Sequence, residues 1–195
     1  VILQTLGVTD YGINNVVGGV ITMLGFMTGS LSSASSRYIT FDLGKGDMRV
    51  MKNTLGNIKS IHYILAGIIL LVGETIGLWF MSNKLQIPVE RETAAMWVYQ
   101  FSILSSMLSV LSAPYNAAII AHEKMSAFAY ISIIEVTLKL IIVYLLTISP
   151  FDRLITYSFL FMMIGVLIRI IYGYYCKKHF EECTYHFILD KPVLK

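Results

Sequence analysis

An all-α, polytopic bundle of membrane-crossing helices is the fold class that this sequence predicts, and three observations predict it. Only 14% of its 195 residues are charged while 56% are hydrophobic, about half the charge share of an ordinary soluble domain. Apolar runs of about 20 residues recur between short polar breaks, the length with which a tilted helix crosses roughly 30 Å of hydrocarbon. The alternation of polarity over about ten residues that marks a transmembrane β-barrel strand does not occur. The net charge of +3 is small and dispersed. No basic, aromatic segment resembles an RNA or DNA module, so nucleic acid is not an expected partner.

Five spans are predicted within residues 1–175: Ile13 to Ser36, Ser60 to Met81, Ala94 to Ala121, Ala127 to Ile148, and Leu154 to Tyr175. Residues 176–195 form a polar tail leading toward a further helix. The opening Val1-Ile2-Leu3-Gln4 has no initiator Met and no basic segment ahead of an apolar core, so a signal peptide is not predicted. Both ends suggest an excerpt of a longer protein, with membrane lipids and the remainder of that protein as partners.

The first span places Asn15, Gly18, Thr22, Gly25, Gly29, Ser33 and Ser36 along one face, with Gly25 and Gly29 as a GxxxG pair. Small residues there admit close approach of another helix. In the connection that follows, Asp47 is positioned to cap a helix over about 47–59 in which Met48, Met51, Leu55 and Ile58 share a stripe. Arg49, Lys52 and Lys59 leave that stripe clear, which predicts a helix lying on the membrane surface or a solvated connector.

The second span carries Glu74 between Gly73 and Gly77. The third carries Ser102, Ser105, Ser109, Ser112 and Asn116 at steps of three or four, opposite Ile103, Leu104, Met107 and Leu111, with a kink expected at Pro114. Helix packing and a cavity wall both fit such a polar side. The fourth holds Glu135 and Lys139 at i, i+4, hence on one face, with Ser132 extending it. Glu74 and Lys139 lie at similar depth, which makes them a candidate cross-helix ion pair. On the fifth span Arg169 is flanked at i−4 and i+4 by Gly165 and Gly173. A charge inside a span faces protein or water and is either paired or functional. An uncompensated Lys139 would cost about 3 kcal/mol on insertion scales. Chemically, Arg169 suits bidentate contact with a phosphate and Lys139 a point charge.

Lys and Arg concentrate on the cytoplasmic side of membrane proteins. One set of connections carries Arg37, Lys45, Arg49, Lys52, Lys59, Lys124, Lys177, Lys178, Lys191 and Lys195; the other carries Lys84, Arg91 and Arg153. Ten against three assigns the first set to the cytoplasm. Cys176, His179, Cys183 and His186 would line one side of a helix, but the outer pair would be about 15 Å apart, too far for one tetrahedral zinc. No metal and no cofactor is predicted, and thiols in the cytoplasm stay reduced. No P-loop, GxSxG, HExxH or dinucleotide motif is present, which disfavours an enzyme.

Leu6-Gly7-Val8-Thr9-Asp10-Tyr11-Gly12, Asn15-Val16-Val17-Gly18-Gly19, Gly29-Ser30-Leu31-Ser32-Ser33-Ala34-Ser35-Ser36-Arg37-Tyr38 and Gly44-Lys45-Gly46-Asp47 together resemble the opening of the Wzx-type polysaccharide flippases. Those belong to the MOP superfamily with the MATE transporters and the lipid II flippase. Glu74-Thr75-Ile76-Gly77-Leu78-Trp79 and Tyr175-Cys176-Lys177-Lys178-His179-Phe180 also resemble O-antigen and capsule exporters, so the resemblance spans essentially the whole chain. It implies helices two to six, a partial N-terminal lobe, of a transporter with about twelve to fourteen helices in a bacterial inner membrane. Rocking of two lobes would carry an undecaprenyl-pyrophosphate-linked oligosaccharide across.

Arg37, inside the matching motif, is the preferred candidate for headgroup capture, its rival role being a positive-inside anchor. Lys139, Arg169, Asn15 and Asn116 are further substrate-binding candidates, and Glu74, Glu135 and Lys139 are candidates for ion pairing or coupling. Two other functions compete: a cation-coupled small-molecule exporter on the same fold, and a non-transporting scaffold. A membrane-embedded transferase is disfavoured because neither Asp10, Glu90, Glu92 and Asp152 nor Asp42, Asp47, Glu123, Glu181, Glu182 and Asp190 offer a persuasive acid pairing.

Overall fold

The computed structural model describes residues 5–85, 87–148 and 152–183, the side chains of 20–28, 82 and 84 excepted. The opening four residues, most of the expected tail with His186, and the side chains of Thr22 and Gly25 in the expected small-residue face therefore lie outside the described residues. Six α-helices and no strand occur among those described. They are α1 (Val8–Lys45), α2 (Met48–Val72), α3 (Leu78–Lys84), α4 (Glu92–Ala121), α5 (Met125–Ile148) and α6 (Arg153–His179). A π-helical turn, Gly73–Gly77, joins α2 to α3 without a break. Among the described residues four helical stretches are long and apolar enough to cross a membrane: Met48–Met81, Val89–Ala121, Met125–Ile148 and Arg153–His179. The expected first span lies within α1.

At 38 residues, α1 is about 57 Å long and runs well past Ser36. Gly46 ends it at φ 72, donating to the Leu43 carbonyl, the left-handed residue that glycine adopts without a Cβ penalty. Asp47 then caps α2 by accepting from the backbone N–H groups of Arg49 and Val50 at 2.9 and 3.3 Å.

The surface helix expected over 47–59 is corrected here. It is the first half of α2 and continues without interruption into the expected span. Its stripe is not spread on a membrane: Met51, Leu55 and Ile58 are buried in a cluster with Ile39 of α1 and Ala117, Ala118 and Ile119 of α4. Lys59, expected on the solvated side, is 4% exposed.

The central helix is α4, packed against α1, α2, α5 and α6. Two apolar clusters hold the ends of the bundle. One comprises Ile13, Val17, Met81, Val98, Tyr99, Ile103 and Leu154 among others; the second joins Ile39 and Leu55 to Ala117, Ile131, Ile168 and Cys176. Between Ile103 and Ala117, α4 presents its serines and Asn116. The outer faces of α5 and α6 are apolar and exposed, with Ile133, Val136, Leu140 and Tyr144 on α5 and Leu167 and Ile170 on α6, as helices bordering lipid require.

Gly73 and Gly77 permit α4 to approach the π turn. A Cβ at Gly77 would lie 1.8 Å from the Tyr99 hydroxyl, and one at Gly73 2.9 Å from Ile103 Cδ1. The Tyr99 hydroxyl donates to the Gly73 carbonyl at 2.6 Å. Gly77→Ala is therefore expected to destabilise the bundle by about 1–3 kcal/mol through overpacking. Adding Tyr99→Phe, which deletes the clashing oxygen, should recover part of the loss in thermal unfolding of the purified chain.

Candidate functional site

Four helices enclose a cavity of about 530 Å³, within the range of roughly 300–1,000 Å³ usual for small-ligand sites. Its polar lining consists of Ser32 from α1, Ser105, Ser109, Ser112 and Asn116 from α4, Glu135 and Lys139 from α5, and Tyr172 from α6. Gly29 and Gly165 complete the wall where a larger side chain would reduce the space. The serine stripe thus faces space, except that Ser102 is not part of the lining. Ser112 turns its own hydroxyl back to the Leu108 carbonyl at 2.7 Å. The Asn116 amide oxygen is buried on this wall without a hydrogen-bond partner, and such an acceptor is costly unless something donates to it.

Lys139 Nζ donates to Glu135 Oε1 at 2.6 Å, and the two side chains remain 39% and 33% exposed. The ammonium also lies 5.0 Å from the centre of the Phe161 ring. One helical turn of spacing puts the carboxylate and the amine on one face, as the sequence predicts, and there the two meet. The proposed Glu74–Lys139 pair is a correction. Glu74 rides on the π turn and accepts from Gln100 of α4 at 3.3 Å, while Lys139 is paired within α5. Similar depth in a membrane does not specify the direction in which each helix faces.

Arg169 is committed elsewhere than to the cavity. Its Nη1 donates to the Leu111 carbonyl, in the turn that precedes Pro114, and its guanidinium lies 4.7 Å from the Tyr115 ring. Leu111 lies three residues before Pro114, so Arg169 ties α6 to the proline-bearing turn of α4. The expected space beside its two glycines is only half present. Gly165 faces Leu108 Cδ1 at 3.5 Å from a built Cβ, while Gly173 has nothing within 4 Å. Asn15 is exposed on α1 and is not part of the cavity lining.

Arg37 is also exposed, in a groove with Ser32, Ser33, Ser36, Thr40, Phe41 and Ile120. Ser32 belongs to both this groove and the cavity. Five residues separate it from Arg37, about 7.5 Å along α1.

Charged clusters at the two ends position these helices. At one end Arg91 bridges Asp10 of α1, at 2.9 Å, and Asp152, the N-cap of α6. Burial pushes the Asp10 carboxyl up; Arg91 opposes that and Asp152 adds to it. At the other end His122 pairs with the buried Glu182 and stacks on Phe180 at 4.1 Å, while Lys59 lies 4.9 Å from the Tyr115 ring. Sequence reasoning missed the burial of Lys59. The available signal was its place four residues after Leu55, on the buried side of the stripe.

Asp42 of α1 accepts from Thr54 of α2 at 2.6 Å and from Lys45 at 3.1 Å. Burial raises its carboxyl, but these two partners outweigh it and hold the group below the usual carboxylate range. Its stabilising contribution is therefore present above the unfolded carboxylate value and lost as pH falls through the lower folded value. Asp42→Asn should flatten this part of the acid limb when denaturation midpoints are measured from neutral pH downward.

Among the described residues no group of three or more His, Cys, Asp and Glu side chains is placed to hold a metal ion. The straight helix assumed for Cys176 to His186 is not what forms, since α6 ends at His179 and the chain turns at Glu181–Cys183. No protein-family model, curated protein or solved structure matches the chain.

Proposed function

We propose that this chain forms part of a flippase that moves an undecaprenyl-pyrophosphate-linked oligosaccharide across a bacterial inner membrane. The observation that carries the proposal is Lys139, held by Glu135 and half exposed to a serine- and asparagine-lined cavity between α1, α4, α5 and α6. A phosphate reaching this cavity meets a cation whose N–H groups are not all used by Glu135, together with short hydroxyls and the Asn116 amide. Charge-assisted hydrogen bonds of this kind are about twice as strong as neutral ones. The cavity volume suits a headgroup rather than the lipid, which would remain in the bilayer. Arg37 would take the pyrophosphate first, and the shared wall at Ser32 would lead it inward. Arg169, engaged with Leu111 and Tyr115, takes no part in this proposal, and neither does Asn15.

A cation-coupled exporter of small molecules is the second reading, favoured by the presence of Glu135 in the same cavity. One experiment separates the two. Lys139→Ala and Arg37→Ala are introduced into the full-length protein, and surface glycan and efflux of cationic dyes are measured at equal expression. The flippase reading predicts glycan loss with Lys139→Ala and a partial loss with Arg37→Ala, without a change in efflux. A change in efflux with intact glycan would favour the exporter, and unchanged values in both assays would favour a scaffold.

A further inference from the structure

Cys176 and Cys183 would stand about 10 Å apart along a continuous helix. The chain instead leaves α6 after His179, takes an extended conformation at Phe180 (φ −128, ψ 118), and closes a 3-10 turn over Glu181–Cys183. The reversal returns Cys183 to the last turn of α6, into the same buried cluster as Cys176, whose thiol donates to the Tyr115 carbonyl at 3.5 Å. Both residues are buried, at 0% and 5% exposure, in the cluster that contains Phe180 and Tyr172. The turn is fastened from two other helices: Lys59 Nζ of α2 donates to the Cys183 carbonyl at 3.2 Å, and His122 of α4 pairs with Glu182.

We propose that Cys176 and Cys183 are a reversible redox pair, oxidised by a peroxide to one intramolecular disulfide that staples the end of α6 to the turn after it. The juxtaposition alone makes the second sulfur available at the site of the first oxidation. The environment makes Cys183 the attacking sulfur: contact with the Cys176 thiol, aided by the Lys59 ammonium, holds its thiol below the ordinary range against burial and the Glu182 carboxylate. The thiolate is the reactive form.

In the first step the Cys183 thiolate attacks one peroxide oxygen; an S–O bond forms, the O–O bond breaks, and the departing oxygen leaves as water. In the second, the Cys176 sulfur attacks Cys183, the S–S bond forms, the S–O bond breaks, and a second water leaves with the remaining thiol proton. Two electrons pass from the sulfur pair to one peroxide, giving two waters. A small thiol reverses the bond by exchange. The charge asymmetry of the connections assigns this end of the bundle to the cytoplasm, where disulfides are transient and serve sensing. The oxidised form would fix the turn that carries Glu182 against His122.

The test exposes the full chain in membranes to hydrogen peroxide, quenches it, and denatures it in a large maleimide reagent. Intact mass is measured in parallel. The proposal predicts two maleimide adducts before oxidation and none after. It also predicts a monomer lighter by two hydrogens, recovery of both adducts with dithiothreitol, and bond formation faster in the folded chain than in the same chain oxidised in denaturant. Cys176→Ser should accumulate Cys183 sulfenic acid instead. Two adducts surviving a dose that oxidises free dithiothreitol, a disulfide only between chains, or no acceleration by folding would each overturn it.

Discussion

Replacing Arg91 with methionine is expected to destabilise the bundle by about 1.5–3 kcal/mol, the cost of losing charge-assisted hydrogen bonds to the buried Asp10 and the partly exposed Asp152 from an arginine that is itself 36% exposed. Two starts of helix depend on this side chain. It bridges Asp10 in the first turn of α1 to Asp152, and Asp152 also caps α6 by accepting from Leu154 and Ile155 at 3.0 and 3.3 Å. Asp10 is 5% exposed, so without Arg91 its carboxylate is buried beside a second one.

Because burial pushes the Asp10 carboxyl up, folding favours its protonated form, a contribution present below the unfolded value and lost as pH rises through the raised folded value. Asp10→Asn alone should therefore cost much less than Arg91→Met, and the double variant should be more stable than Arg91→Met. Unfolding of the purified chain, followed by circular dichroism against temperature, measures all three. Equal losses for the two single variants would show that the cluster does not carry the ends of α1 and α6.

Lys139→Gln is expected to abolish surface glycan in the full-length protein, beyond any loss that comes from leaving the Glu135 carboxylate unpaired. The pair with Glu135 is more than a third exposed on the lysine side, and exposed i, i+4 pairs contribute about 0.3–0.5 kcal/mol. Loss of a charge-assisted hydrogen bond to a phosphate, by contrast, removes about 1.5–3 kcal/mol, roughly 10- to 100-fold in affinity. Glu135→Gln should leave the cation in place but unneutralised, just as Lys139→Gln leaves the carboxylate, each with a cost on insertion of at most about 3 kcal/mol. The glycan loss of Glu135→Gln should track lower expression, whereas that of Lys139→Gln should exceed it. The separation of activity from stability distinguishes a substrate contact from a structural pair.

The local features of this fold were legible in the residues. Runs of apolar side chains marked the helices, Asp47 marked the start of α2, and the i, i+4 spacing of Glu135 and Lys139 placed the two on one face. The serine stripe of α4 was legible as a face, though only packing against α1, α5 and α6 made it a cavity wall.

What was not legible depends on contacts distant in sequence. The spacing of Lys59 from Leu55 marks its buried side, but the partners of its ammonium, the Cys183 carbonyl and the Tyr115 ring of α4, are distant in sequence. Arg169 meets the Leu111 carbonyl across 58 positions, a contact that only the packing of α6 on α4 brings about. Glu74 misses Lys139 because the π turn directs it toward Gln100, and no periodicity counted at 3.6 residues per turn anticipates that rotation.

The central claim is that this cavity holds the phosphate of a lipid-linked cargo through Lys139. Binding of a prenyl pyrophosphate to the full-length protein in lipid nanodiscs tests it most directly, comparing the native protein with Lys139→Gln and Lys139→Arg. The account predicts affinity about 10- to 100-fold weaker for the glutamine variant and largely retained for arginine, which keeps the charge. Equal affinity for all three proteins would contradict it.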